Sequence, residues 1–466
     1  MDKNKLIFRY LFADVMASLI VWVLFVAFRI IVNDVQIFEG VQFLIPNYNY
    51  LVSLICFPFY CLFIHYICGY YLSPIKKSQV TEVFSTFVST GIISLSIFLV
   101  RMFRDVAVSL EYFYFSLIVL FILLFIFTLS FRTYISSQVR RNYKQKKWTI
   151  NTIIIGTGSN ALRIASEFEK YAHQNTLIGF ISIDKRVMVE PQQILGTMNQ
   201  LSAIIEKNNI EEAVVALDNA DEYQLFSIIN SLYKFNIDIR FTPRLYEILT
   251  GSARINRLEI SPLVSITDSS MADWQASVKR FSDIVISLVT LVVLSPFLCY
   301  FIIRIKRDSE GPAFYKQERI GRYGKPFEIL KFRTMYLGAE GRVPSLSSAD
   351  DDRITAIGRT LRKYRIDEIP QFWNILKGDM SVVGPRPERR YYINQIIEEA
   401  PYYCLLYKIR PGLTSWGPIK IGYSDTVDKM VERLNYDIIY LDNMSLFTDI
   451  KILIYTLEII FKGKGI

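Results

Sequence analysis

Histidine is nearly absent from this chain, which has only His65 and His173 among its 466 residues. Both lie outside the polar C-terminal region, so a histidine general base is not expected there. Cysteine is also scarce, and the spacing of the five cysteines indicates neither a metal site nor a disulfide framework. The sequence shows no internal repeat and no low-complexity segment. No Ala-x-Ala pattern follows the first apolar run, so a cleavable signal peptide is not expected.

Apolar side chains and positive charges are abundant. Apolar residues make up 52% of the chain, much of the excess lies in the first 131 residues, and the net charge is +9. Such a charge suits either an anionic lipid leaflet or nucleic acid. The apolar segments favour the membrane, so no nucleic-acid partner is expected. The length favours two to four structural units.

The first 135 residues have the pattern of a four-helix transmembrane bundle. The four apolar runs are Leu6–Val32, Tyr50–Leu72, Val83–Val100 and Tyr112–Phe131. Each is close to the ~20 residues that a spanning helix needs. Basic residues precede the first run and follow the fourth from Arg132 onward, which predicts that both ends of the bundle are cytoplasmic. Asp14, inside the first run, is interpreted as a buried partner for a neighbouring helix, with a transport site as the alternative.

Residues 148–250 alternate strand and helix patterns, which predicts a doubly wound, Rossmann-like α/β domain with a parallel sheet. The first strand ends in a glycine turn that begins at Gly156, and the second ends at Asp184. This is a weakened form of the dinucleotide-binding fingerprint. The alternative, which we favour because no hydride-transfer residues accompany the turn, is that Gly156 and Gly158 only make a tight turn.

A connector at 251–278 leads to an apolar stretch with basic residues at both ends and a Ser295-Pro296 break near its middle. Positive charge marks the cytoplasmic side, so both ends are expected there. Proline supplies the bend. Residues 281–305 are therefore predicted to be a re-entrant membrane helix that opens a mainly helical catalytic domain, 279–466. Ser445–Phe461 is amphipathic, which suits either the membrane surface or the core.

Two adjacent acids, Asp367 and Glu368, are the candidate catalytic residues. Asp367 is placed to cap a helix, with Pro370 in the first turn of that helix. Basic residues surround the pair in sequence: Arg353, Arg359, Arg362, Lys363, Arg365, Arg386, Arg389 and Arg390. So many cations around two carboxylates and a helix start indicate a phosphate site. A carboxylate is already ionised at neutral pH and can attack phosphorus without a general base.

Several motifs in this region resemble those of the bacterial sugar transferases, the monotopic polyprenyl-phosphate hexose-1-phosphate transferases. They are Lys331-Phe-Arg-Thr-Met335, Arg365-Ile-Asp-Glu-Ile-Pro-Gln371, Asn374 to Glu388 with its Pro-Arg-Pro, and Arg410-Pro-Gly-Leu-Thr414. The bundle and α/β domain in front resemble the long form of that family. Thr414-Ser-Trp-Gly-Pro418 departs from the family's usual Thr-Gly-Trp-Ala-Gln, so the role of that segment stays open.

The resemblance implies a two-step transfer at the cytoplasmic face of a bacterial inner membrane. Asp367 attacks a UDP-sugar and releases UMP, undecaprenyl phosphate takes the phosphosugar, and Glu368 binds Mg²⁺. The residues expected to contact phosphate or nucleotide are Lys331, Arg333, Arg362, Arg365, Arg386 and Arg410. The product would initiate capsule, exopolysaccharide or O-antigen assembly, and a homodimer is plausible by the same resemblance.

Two rival functions remain from the sequence alone. Asp350-Asp351-Asp352 resembles the Asp-x-Asp metal motif of enzymes that move only the sugar and release UDP, although a solvated turn is the plainer interpretation. A membrane-tethered scaffold or nucleotide sensor would require Asp367 and Glu368 to be a helix cap and nothing more.

Overall fold

The computed structural model of the chain describes residues 3–32, 48–72, 79–104, 110–171, 174–183, 187–218, 221–235, 237–242, 264–265, 271–339, 351–422 and 426–461. These fall into two compact units. One comprises Met1–Trp148 and Ala272–Phe281, and the other comprises Thr149–Met271 and Ser282–Ile466. The finer domain boundaries expected from the sequence stay predictions.

The first unit consists mainly of long apolar helices: α1 (Lys3–Val32), α2 (Tyr48–Ile67), α3 (Gln79–Arg104) and α4 (Leu110–Lys144). Among the described helices, three are long and apolar enough to cross a membrane. They are α1, α3 and α4, whereas the apolar part of α2, Val52–Ile67, is shorter. Each of the four expected runs therefore contains a helix, although the second helix ends at Ile67 and not at Leu72. Three of them meet the length of a span on their own, and the four-helix transmembrane bundle stays a prediction.

A buried ion pair joins α1 to α4. Arg132 donates through Nε and Nη2 to the two carboxylate oxygens of Asp14 at 2.9 and 2.8 Å. Tyr71 donates to the same carboxylate at 2.6 Å, and Arg132 also donates to Thr86 at 2.9 Å. The interpretation of Asp14 as a buried partner is thus confirmed. The placement of Arg132 in a loop after Phe131 was wrong, because α4 continues to Lys144 and buries that guanidinium completely.

The α/β part of the second unit contains a six-stranded sheet in the order β3-β2-β1-β4-β5-β6. Its strands are β1 (Ile150–Ile155), β2 (Asn175–Ser182), β3 (Ile194–Thr197), β4 (Glu212–Val215), β5 (Asp238–Phe241) and β6 (Val264–Ser265). All pairings are parallel except that of β5 with β6. This order confirms the doubly wound sheet, with β1 at the point where the strand order reverses.

The helices of the α/β part are α5 (Ser159–Tyr171), α6 (Leu201–Lys207) and α7 (Glu222–Tyr233). Helix α7 packs against the segment Pro401–Lys408 in the C-terminal part of the same unit. Asn230 donates to the Pro401 carbonyl at 3.2 Å, and the rings of Tyr233 and Tyr407 lie edge to face. The α/β part and the C-terminal part therefore share one apolar core.

A bent helix pair follows: α8 (Asp273–Val293) and α9 (Ser295–Asp308), which meet at 62°. Pro296 lies in the first turn of α9, and Ser295 donates through its hydroxyl to the Val292 carbonyl at 2.8 Å. The bend predicted at this Ser-Pro pair is confirmed. Large apolar side chains near it are exposed, among them Val292 and Val293.

The C-terminal part is mainly helical, as expected. It contains the antiparallel hairpin β7 (Phe314–Ile320) and β8 (Pro326–Phe332), and a parallel pair, β9 (Ser381–Val383) and β10 (Gly412–Thr414). Its helices are α10 (Ala356–Lys363), α11 (Gln371–Lys377), α12 (Arg390–Glu399), α13 (Trp416–Ile421), α14 (Val427–Asp442) and α15 (Leu446–Phe461). Helix α15 buries Ile452 in the core and exposes Phe447 and Ile454, so both sequence interpretations describe one of its faces.

Candidate active site

Asp367 and Glu368 lie in a short 3-10 turn, Ile366–Glu368, between α10 and α11. Arg365, just before the turn, has a left-handed backbone with φ of 55°, a conformation that residues other than glycine rarely adopt. Helix α11 begins only at Gln371, with Pro370 at its cap position and no capping side chain. The prediction that Asp367 caps this helix was wrong, so the carboxylate has no capping role there.

Asn374 fixes α11 against the hairpin. Its side-chain oxygen accepts from the Leu330 backbone N–H at 3.0 Å, and its amide donates to the Glu328 carbonyl at 2.7 Å. An asparagine that satisfies two groups of a strand in this way sets both the position and the rotation of its helix. The neighbouring strand residue, Lys331, is thereby brought next to the turn that carries the two acids.

Glu368 is held by three cations. Its Oε1 atom accepts from Arg386 at 2.8 Å and from Lys331 at 3.2 Å, and Arg365 lies 3.5 Å from Oε2. Burial opposes ionisation of Glu368, but Arg386, Lys331 and Arg365 outweigh it and hold the pKa of this carboxyl well below its usual range. Burial likewise lowers the pKa of Lys331, against the opposing effect of Glu368.

The pKa of Asp367 is shifted in the opposite direction from that of Glu368. Its side chain is 9% exposed, and its carboxylate lies in the field of Lys331, Arg362 and Arg386. Burial and then the Glu368 charge raise the pKa of Asp367 to about 6, against the lowering effect of Lys331, Arg362 and Arg386. At neutral pH the group is therefore still an anion, although by a smaller margin than a free aspartate. A carboxylate that is ionised at neutral pH and lies among cations is a suitable nucleophile.

Close backbone packing positions Arg386. A Cβ atom on Gly412 would lie 2.1 Å from the Gly384 nitrogen, and one on Gly384 would lie 2.6 Å from the Arg410 carbonyl oxygen. Only glycines allow the two segments to approach so closely, and the Gly412 N–H donates to the Pro385 carbonyl at 2.9 Å. The Pro-Arg-Pro segment is in this way held where Arg386 reaches Glu368.

The other predicted cations make different contacts. Arg362 donates to the Thr334 hydroxyl at 2.9 Å and contributes to the field at Asp367. Arg333 is buried and donates to the carbonyls of Ser309 and Glu310 at 2.7 and 2.5 Å. Arg410 donates to the Gly378 carbonyl at 2.9 Å. The structure thus brings Lys331, Arg362, Arg365 and Arg386 to the two acids. Phosphate or nucleotide contact stays a prediction for these four and for Arg333 and Arg410.

Two acids that support the site were missed in the sequence. Asp283 on α8 is buried and accepts from the Ser381 hydroxyl at 2.7 Å and from the Val382 N–H at 3.0 Å. Glu388 is buried between Arg319, at 3.3 Å, and Arg433. Asp283 could have been found, because it is the only charged residue between Arg280 and Arg304. Glu388 ends the Pro-Arg-Pro motif, but its role could not be predicted, because its partners are 69 and 45 residues away.

The acidic run near residue 350 is only partly described, since Asp350 lies outside the described residues. Asp351 accepts from the Arg353 side chain at 2.8 Å and from its backbone N–H at 3.0 Å. These contacts are those of a turn closed by its own arginine, the plainer of the two sequence interpretations.

Comparison with known proteins gives relatives of the region that contains the site. A family model described as bacterial sugar transferase matches residues 274–463, and one described as CoA-binding domain matches residues 66–243. An N-acetylgalactosaminephosphotransferase of Aeromonas hydrophila, named as acting from UDP-N-acetylgalactosamine to undecaprenyl phosphate, is 35% identical over 49% of this chain and 54% of its own length. The Escherichia coli UDP-glucose:undecaprenyl-phosphate glucose-1-phosphate transferase is 31% identical over 58% of each chain.

The protein of that same name from Caulobacter vibrioides is 39% identical over 38% of this chain and 67% of its own length. The match spans little more than half the length of the Aeromonas and Escherichia proteins. A UDP-D-quinovosamine 4-dehydrogenase structure from Vibrio fischeri covers 25% of this chain at 24% identity and a TM-score of 0.21, too low to carry an argument. Together with the matched C-terminal region, the Caulobacter relative shows that this chain belongs to the bacterial sugar transferase family.

Proposed function

We propose that the chain transfers a hexose-1-phosphate from a UDP-sugar to undecaprenyl phosphate and so initiates assembly of a lipid-linked glycan. The activities for which the relatives are named support the reaction class, and they differ in the sugar: N-acetylgalactosamine, glucose or galactose. UDP-glucose and UDP-galactose are the first donors to test, because they fit the long form of the family.

The observation that carries this proposal is the contrast between two neighbouring carboxylates. Arg386, Lys331 and Arg365 form ion pairs with Glu368 and lower its pKa, whereas burial and the Glu368 charge raise the pKa of Asp367. In a purely structural acid pair both carboxylates would be stabilised by their partners, because a buried anion whose pKa is raised lowers stability at neutral pH. The arrangement instead keeps one anion available for reaction.

In the first step, a carboxylate oxygen of Asp367 attacks the phosphorus that carries the sugar. A bond forms between that oxygen and phosphorus, the bond from this phosphorus to the bridging oxygen breaks, and UMP leaves with the electron pair. The product is an aspartyl phosphosugar. Lys331, Arg362 and Arg386 lower the repulsion between the attacking carboxylate and the diphosphate, and they neutralise charge on the leaving UMP.

In the second step, a phosphate oxygen of undecaprenyl phosphate attacks the same phosphorus, and Asp367 leaves as a carboxylate. The lipid then carries the sugar through a diphosphate. Both attacking groups are anions at neutral pH, so neither step requires a proton acceptor. This agrees with a chain whose two histidines lie outside the C-terminal part.

Glu368 fits Mg²⁺, an ion that proteins usually hold through one or two carboxylates and substrate phosphates. Glu368 stays ionised because of its cations, so it would supply the protein ligand, while Asp367 beside it stays the nucleophile. When bound, the ion would neutralise diphosphate charge.

The bent pair α8–α9 gives the proposed membrane arrangement. With Lys279 and Arg280 before it and Arg304, Lys306 and Arg307 behind it, we infer that the pair enters and leaves on the cytoplasmic side of the inner membrane. Cysteine labelling tests this. Single cysteines introduced after Arg307 should react only with reagents that enter the cell, and labelling from outside would contradict the inference.

The reaction is tested by incubating the purified full-length protein with undecaprenyl phosphate, Mg²⁺ and a panel of UDP-sugars. UMP should be released, and repeated turnover should require undecaprenyl phosphate. Release of UDP would show transfer of the sugar alone and would contradict the proposal.

A further inference from the structure

The glycine turn of the α/β part is already filled by a side chain. It joins β1 to α5 through Gly156, Thr157 and Gly158, with the sheet order and the helix that a dinucleotide-binding turn requires. In such a turn the first backbone N–H groups of the helix bind a phosphate. Here the first two N–H groups of α5, those of Ser159 and Asn160, donate to the side chain of Asp218.

Asp218 accepts these two hydrogen bonds with its two carboxylate oxygens. The Ser159 N–H donates to Oδ2 of Asp218 and the Asn160 N–H donates to Oδ1, both at 2.8 Å. Asn160 also donates through its side-chain amide to the Leu217 carbonyl at 3.2 Å, which ties the helix start to the segment after β4 a second time. A carboxylate here makes the contacts of a phosphate and benefits from the positive end of the helix dipole.

The two glycines are explained by the same contacts. A Cβ atom on Gly158 would lie 2.2 Å from the Asp218 carboxylate, and one on Gly156 would lie 2.3 Å from the Ala216 carbonyl oxygen. In a nucleotide-binding turn, the second glycine lets the backbone approach a pyrophosphate. In this chain the group that lies close to the backbone at Gly158 is the Asp218 carboxylate. The acid expected at the ribose, Asp184, lies outside the described residues.

These contacts do not fit the ligand that the matching family model implies by its name, a CoA-binding domain over residues 66–243. A phosphate at the turn would have to displace Asp218 or share two N–H groups with it, and the two anions would repel each other. We propose that Asp218 is the built-in anion of this turn, so that neither CoA nor a dinucleotide binds there through its phosphate. The α/β part then serves as a structural support, whose helix α7 packs on Pro401–Lys408.

Hydrogen–deuterium exchange on the full-length protein tests the proposal at the turn itself. In the wild type, millimolar CoA or NAD⁺ should leave the exchange of peptides covering residues 156–163 unchanged. Asp218→Ala should speed exchange in the first turn of α5 about fivefold, the effect of losing a helix cap. Asp218→Asn keeps one acceptor oxygen and should lie between wild type and Asp218→Ala.

Asp221→Ala is the matched control. Asp221 caps α7 by accepting from the Gln224 N–H at 2.7 Å, so this variant should speed exchange at the start of α7 only. The proposal is overturned if CoA or NAD⁺ slows exchange at 156–163 in the wild type. It is equally overturned if Asp218→Ala leaves the first turn of α5 unchanged.

Discussion

Two aspartates of the second unit lie in opposite surroundings. Asp218 is exposed and accepts from two backbone N–H groups, whereas Asp367 is buried and its pKa is raised by burial and by the Glu368 charge. The sequence offered a ligand-binding interpretation at both places: a glycine turn in one case and a cluster of cations in the other. The difference teaches that a carboxylate held by backbone N–H groups can complete a turn, while a buried carboxylate with a raised pKa costs stability and is a candidate for chemistry.

Removing the reactive oxygen should give the largest effect. Asp367→Asn should lower UMP release at least about a thousandfold, because an amide cannot act as the nucleophile. Asp218→Asn, the matched change at the other aspartate, should leave turnover within about twofold. Equal loss of activity in both variants would remove the distinction between the two residues.

The same substitution should raise stability. Because the folded pKa of Asp367 is raised, ionisation of this group works against the folded state once the pH passes its unfolded value near 3.8. Asp367→Asn should therefore increase the free energy of unfolding at pH 7 by about 1–3 kcal/mol. Chemical denaturation of the second unit measures it, and a clear loss of stability would contradict the electrostatic account.

Glu368 should respond with the opposite sign. Its folded pKa is lowered, so its stabilising effect is present above the unfolded pKa and is lost as the pH falls. Glu368→Gln removes the partner of Lys331 and Arg386 and should destabilise the protein at pH 7 by about 3 kcal/mol. If Glu368→Gln and Asp367→Asn shift stability in the same direction, the pKa values of the two acids are not shifted in opposite directions.

The pH dependence should follow Asp367. As the pH falls below about 6, protonation of this carboxyl should reduce kcat/KM about tenfold per unit. Glu368→Gln removes a charge that raises this pKa, so the acid limb of its residual activity should move to lower pH. An acid limb that stays in place in that variant would assign the titration to another group.

The smallest effect should come from Asn374, which docks α11 on β8. Asn374→Ala removes two hydrogen bonds to β8 and leaves part-buried backbone groups unpaired, which should cost about 1–3 kcal/mol of stability. Activity should fall several-fold through misplacement of the turn beside Lys331. Asn435→Ala, which loses a bond to Tyr402 on the surface, is the control and should leave activity unchanged.

Local pattern was enough to predict the alternation of β1, α5 and β2, the bend at Ser295-Pro296 and the helical character of the apolar runs. These features depend on residue periodicity and on the missing donor of proline. The partners of the key acids could not be predicted in the same way. Asp218 meets Ser159 across 59 residues, Glu368 meets Lys331 across 37, and Asp14 meets Arg132 across 118. Such pairs depend on how distant elements pack, which no local window contains.

Mass spectrometry of the trapped intermediate tests the central claim most directly. The full-length protein is mixed with the UDP-sugar in the absence of undecaprenyl phosphate, quenched in acid and digested. The account predicts a hexose-phosphate mass on the peptide that contains Asp367, which disappears in Asp367→Asn and on addition of the lipid phosphate. An unmodified peptide in a preparation that still turns over would contradict it.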